Sequence, residues 1–125
     1  HGDNYRKALL GNDAPADTSV ILCLDEIKRI VLQEWKACPL ISRIGIFGSY
    51  ARGTAKEKSD IDLALEYNLK DIDSKEHLNQ LIRFFKNICL LLPKNIDFVD
   101  YISECKNDPD FIEEINNDII WLSIE

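Results

Sequence analysis

Apolar positions recur along this chain with a helical period in some stretches and nearly every second residue in others. Over residues 24–37, Leu24, Ile27, Val31 and Trp35 recur at helical spacing, with Asp25, Lys28, Arg29 and Glu34 between them. This predicts a first amphipathic helix, with Ser19 as its earliest start and Pro39 as its stop. Isoleucines alternate loosely over 42–47, a strand that Gly48 breaks, and 49–53 reads as a short helical turn. A charged loop over 54–59 leads into a second strand over 60–67. Ser74 then stands as an N-cap before a helix over 75–92, whose stripe is Leu78, Leu81, Ile82, Phe85, Ile88 and Leu92 and which Pro93 ends. Residues 95–99 form a third strand. Asp108 and Pro109 announce another helix, with Phe111, Ile112 and Ile115 on its inner face. Residues 119–122 suit either a last strand or a helix extension. The expected class is α/β (α+β): a small mixed β-sheet with helices on one face.

The 125 residues suffice for one domain, placed at 19–125. Residues 1–18 are polar and expected to be largely flexible, with His1 and Gly2 read as remnants of an expression tag. No charge-free stretch, Asn87–Pro93 included, approaches the length of a membrane span, and no signal peptide is visible. A formal net charge of −7 lowers the odds of direct nucleic-acid binding and favours a metal-dependent site or a basic protein partner. Cys23, Cys38, Cys89 and Cys105 form no C-x-x-C pair and have no histidine at zinc spacing. Free thiols in a reducing cytoplasm are expected, with disulfides or a metal as the alternative.

The second strand reads Asp60-Ile61-Asp62-Leu63-Ala64-Leu65-Glu66. Side chains alternate across a strand, so Ile61, Leu63 and Leu65 share one face and Asp60 and Asp62 the other. Alone, such a pair also fits a solvent-facing strand edge. The third strand, Asn95-Ile96-Asp97-Phe98-Val99-Asp100, adds a carboxylate of the same parity, Asp97, to the same open side. Asp100 has the opposite parity and reads as a turn or surface residue. Three carboxylates on adjacent strands could hold two divalent ions such as Mg2+, which takes oxygen ligands and keeps substrate phosphates in its shell. Upstream, Gly48 lets backbone approach a phosphate, the following helical turn offers free amides, and Ser49 adds a hydroxyl. Arg52 could reach a phosphate or bridge to a carboxylate; Ser59 could cap its loop or touch a ligand of the metal site. Lys56 and Lys58 read as solvated surface, as does His77 in the first turn of its helix.

Gly48-Ser49, ten residues, then Asp60-Ile61-Asp62 resembles the GSx10DxD signature of the DNA polymerase β-like nucleotidyltransferase superfamily. The longer string IFGSYARGTAKEKSDIDLAL is similar to its minimal branch, the MNT proteins, and Ile96-Asp97-Phe98-Val99 fits the strand of the third carboxylate. The resemblance implies a nucleotidyltransferase fold in which Asp60 and Asp62 bind two Mg2+ ions. Asp97 completes one metal site and assists the acceptor, while Gly48 and Ser49 hold the nucleoside triphosphate; Arg52 and Ser59 stand beside them as candidate nucleotide-binding residues on their own chemistry. It further implies that AMP moves from ATP onto a tyrosine of a HEPN-type toxin encoded nearby, with the chain as antitoxin. Transfer to a small molecule such as an aminoglycoside, and non-catalytic masking of the toxin, are the rival readings.

Overall fold

The computed structural model describes residues 5–71 and 73–124; His1 and Gly2, read as tag remnants, lie outside the described residues. Four strands form one sheet in the order β3-β2-β1-β4: β1 (Ile41–Phe47), β2 (Ile61–Tyr67), β3 (Ile96–Asp100) and β4 (Ile120–Trp121). β1 runs antiparallel to β2 and to β4, while β2 and β3 are parallel, so the sheet is mixed as expected. The tail whose state the sequence leaves open therefore supplies a strand, β4.

Ile44, Ile46, Ile61, Leu63, Leu65, Ile96 and Phe98 build the main core on one sheet face. Two amphipathic helices close it, α2 (Leu24–Trp35) through Ile27, Ile30 and Val31, and α4 (Lys75–Leu91) through Phe84, Ile88 and Cys89. The α2 end is tied to the sheet where Trp35 Nε1 donates to the Ile41 carbonyl at 2.8 Å. The Ser74 hydroxyl accepts from the His77 amide and starts α4 as expected. The α4 stripe holds in its later part, where Ile88 and Leu92 are buried and Leu81 and Phe85 pack against the core, but Leu78 and Ile82 stay exposed and Phe84 and Cys89 are buried as well. The apolar pattern thus begins before the part of the helix that is in contact with the core.

Two helices have no counterpart in the sequence reading. One is α1 (Tyr5–Leu10), in the segment set aside as flexible. Tyr5 stacks edge-on against Phe98 with ring centroids 5.2 Å apart, and the Arg6 guanidinium is buried against the carbonyls of Ala14, Cys89 and Leu92. A polar composition hides this packing because the buried group is itself a cation. The other is α5 (Tyr101–Asn107), started by the Asp100 carboxylate accepting from the Ser103 amide at 3.1 Å. It buries no residue fully, so it leaves no apolar period to read.

The reverse face carries a smaller cluster of Phe47, Ala64, Val99, Ile112 and Ile115. The last two come from α6 (Pro109–Asn116), capped by the Asp108 carboxylate, with Pro109 in its first turn. Gly45 makes room here. A β-carbon on it would stand 2.7 Å from the Ile119 side chain and 2.9 Å from the Trp121 ring. The rest of this face, at the end where β1 stops and β2 and β3 start, is left for the polar groups described next.

Leu63 is fully buried in the strand that carries the carboxylates. Its replacement by alanine should cost about 2–5 kcal/mol through lost burial and a residual cavity. Urea unfolding of the full chain measures this as a lowered midpoint.

Candidate active site

The parity expected from sequence is realised in the ladder. β2 and β3 pair in register with Asp62 opposite Asp97, and β1 and β2 pair with Phe47 opposite Asp62. Neighbouring strands lie about 4.8 Å apart, so Asp62 and Asp97 project side by side from one face. Asp60 lies two residues before Asp62, just outside the strand, with Ile61 locked to β3 where its amide donates to the Asn95 carbonyl at 2.9 Å. Asp97 is 8% exposed and Asp62 is half-buried, whereas Asp60 reaches solvent.

Gly48 follows β1 directly and has φ +76°. A β-carbon there would stand 2.1 Å from Asp62 Oδ2, inside any allowed contact. Glycine is therefore required twice, for the left-handed backbone and for the space the carboxylate occupies. α3 (Gly48–Arg52) starts at this point, beside Asp62, with no side chain capping its first turn.

Burial and crowding act on these acids in the same direction. Asp62 is raised from the ordinary carboxylate range to about 7, first by burial, then by the charges of Asp97 and Asp60, with Arg52 opposing. Asp60 is raised as well, by burial first and then by Asp97, with Lys94 opposing. Among the described residues no three acidic, histidine or cysteine side chains close into a ready-made metal cage. An open set of carboxylates is nevertheless what a hard divalent cation uses when phosphate oxygens supply the rest of its shell. The donor chemistry, the mutual repulsion and the space kept by Gly48 all fit a divalent cation. Asp62 and Asp97 are register partners on one face, with Asp60 beside them.

The remaining residues singled out from sequence take different positions. Ser49 sits in the first turn of α3, next to Gly48. Arg52 lies close enough for its charge to act on Asp62, yet its guanidinium pairs with Asp118 at 3.5 Å across the surface. Ser59 faces its own loop, where its hydroxyl accepts from the Lys56 amide at 2.8 Å. Asp100 caps α5, away from the carboxylate cluster. The four cysteines are free thiols; Cys38 and Cys89 are buried, and burial pushes Cys89 up to about 11. Sequence reasoning missed Lys94, a buried lysine beside Asp60; one lysine after a proline reads as an ordinary loop.

The family model for the nucleotidyltransferase domain matches residues 24–122. The chain belongs to the nucleotidyltransferase family. The protein adenylyltransferase MntA of Thermococcus cleftensis is 37% identical over 70 residues, which cover 50% of this chain and 71% of that protein. Two Methanocaldococcus jannaschii proteins named for a prospective protein adenylyltransferase activity also match. One is 29% identical across 79% of this chain and 97% of its own length, the other 39% identical across 47% and 78%. A solved toxin–antitoxin complex with AMP-PNP overlays with a TM-score of 0.47 at 24% identity, covering 83% of this chain and 75% of that one. That overlay is too loose to add to the family match. Among the described residues no helix is long and apolar enough to cross a membrane.

Two outcomes test the geometry of this nucleotidyltransferase. Gly48→Ala should displace Asp62 and force alanine into a left-handed backbone, at about 1–2 kcal/mol for the backbone alone; thermal unfolding and nucleotidyl transfer should both fall. The second concerns pH. A carboxyl whose folded pKa is raised stabilises the fold fully only below its unfolded value. That stability is lost as pH rises towards about 7 for Asp62. Asp62→Asn should therefore melt several degrees above the wild type at pH 8 in metal-free buffer, with the gain shrinking as pH approaches 4. Differential scanning calorimetry across this range measures the difference.

Proposed function

We propose that this nucleotidyltransferase moves AMP from ATP onto a protein, that the acceptor is a tyrosine of a HEPN-type toxin, and that the chain acts as its antitoxin. The observation that carries the catalytic part is the juxtaposition of Gly48, Asp62 and Asp97 at the shared end of β1, β2 and β3. The choice of AMP and of a protein acceptor rests on the names of the archaeal relatives. The toxin and its tyrosine rest on the resemblance to MNT proteins.

Two Mg2+ ions, when bound, would offset the charge gathered by the carboxylates and the triphosphate. Asp60 and Asp62 would hold both, with Asp97 completing one site. Gly48 and Ser49 would receive the phosphates where strand β1 turns into α3. Arg52 is one helical turn away and would have to leave Asp118 to reach a phosphate. Ser59 serves the site through its loop. The acceptor hydroxyl attacks the α-phosphorus in line: a new O–P bond forms, the bond to pyrophosphate breaks, and Asp97 accepts the hydroxyl proton. The chain's contribution is position and fixed charge, which suits a reaction whose transition state is dominated by charge on phosphoryl oxygens.

The test is co-expression with the product of the adjacent gene, incubation with Mg2+ and ATP, and intact mass spectrometry of the partner. Whole AMP units should be added, and Asp62→Asn or Asp60→Asn should lower the rate by about 100-fold or more. Undiminished transfer in both variants would remove the site assignment. An unmodified partner in a stable complex that Asp62→Asn still neutralises would replace catalysis by masking.

A further inference from the structure

We propose that Lys94 is a positioning residue for the carboxylate site, fixing the loop that delivers Asp60 against the strand that delivers Asp97. Its side chain is 2% exposed. Nζ donates to the Asp17 carbonyl at 2.6 Å, to the Glu57 carbonyl at 2.7 Å and to the Val20 carbonyl. An ammonium has three donors, and all three are used. Lys94 therefore has none left for a phosphate or a proton transfer and acts through what it holds and through its charge beside Asp60.

What it holds surrounds Asp60. Glu57 lies three residues before Asp60 in the loop between α3 and β2. On the other side of Asp60, the Ile61 amide donates to the Asn95 carbonyl at 2.9 Å. Asp60 is thus suspended between two attachments to residues 94 and 95, and Asp97 follows two residues later on the same strand. The third and fourth ties go to the N-terminal strap. Asp17 is also bound through its amide to the Pro93 carbonyl at 2.8 Å, and its carboxylate is held by the Ser19 amide and hydroxyl. This strap lies before residues 24–122, the part matched by the family model, so the shared domain does not account for it. An apolar side chain of similar length would avoid burying a charge but would leave three carbonyls, two in the strap and one in the loop, unpaired.

Arg6 supplies a control within the same strap. Its guanidinium is also buried on carbonyls, those of Ala14, Cys89 and Leu92, and these three bonds reach neither the loop nor β3. Lys94→Met and Arg6→Met should both lower the melting temperature. Only Lys94→Met should loosen the loop.

The inference rests on the proposed role of the three carboxylates, so its first readout needs no activity. Hydrogen–deuterium exchange of the full chain without ligand should show the amides of residues 54–61 exchanging about tenfold faster or more in Lys94→Met. The α2 amides should not change, and the loop of Arg6→Met should remain as in the wild type. In steady-state nucleotidyl transfer, kcat per folded molecule should fall at least ~10-fold in Lys94→Met, with KM for Mg-ATP moving less than about threefold. Arg6→Met should stay within about twofold of wild-type kcat. Lys94→Gln serves where the methionine variant does not fold and carries the same expectation. Wild-type exchange over 54–61 in the lysine variants, or equal losses of kcat in the Lys94 and Arg6 variants, would overturn the positioning role. A wild-type chain with no transfer would count against the proposed function and leave the exchange result readable.

Discussion

Three carboxylates held close together on a half-buried sheet face are the constraint around which this molecule is arranged. Register places Asp62 beside Asp97, and the strand start places Asp60 next to them. Burial and mutual repulsion lift Asp62 to about 7, so by themselves these acids oppose the fold that contains them. The hydrophobic side of the same strands outweighs this opposition. Ile61, Leu63, Ile96 and Phe98 alternate with the acids and are packed under α2 and α4. One pleat thus serves both purposes: the residues that anchor the strands fix the direction in which the acids point.

Glycine at two positions of β1 and its exit makes the arrangement possible. Gly48 yields the space that Asp62 Oδ2 occupies, and Gly45 lets Ile119 and Trp121 close over the reverse face. These contacts divide that face into an apolar part under α6 and a polar part at the strand ends. The division keeps the acids accessible from one direction while their backbones stay within the sheet. Arg52 stands at the border between the two parts, paired with Asp118 and acting by its field on Asp62.

The carboxylate strands were legible from sequence because a period of two in a short apolar strand leaves little freedom. Asp60, Asp62 and Asp97 could be assigned a shared face from parity alone. Gly48 was legible as the glycine that breaks the first strand, but its contact with Asp62 was not, since it depends on how β1 and β2 pair. α1, α5 and Lys94 were illegible for a common physical reason. Each is held by hydrogen bonds to backbone carbonyls or to a capping side chain, or by scattered aromatic contacts, and none of these leaves a hydrophobic period. Ser59 and Arg52 each had two readings from sequence, and the geometry realises the loop contact for the first and the carboxylate bridge, to Asp118, for the second.

The central claim is that the acids are electrostatically frustrated until a divalent cation and a nucleotide arrive. The most direct measurement is calorimetric titration of the Mg2+ complex of a non-hydrolysable ATP analogue at pH 7, in buffers of differing ionisation enthalpy. With Asp62 near 7, about half a proton should leave per site on binding, and the observed heat should vary linearly with buffer ionisation enthalpy. Binding with no dependence on the buffer would show that the carboxylates are already fully ionised and contradict the account.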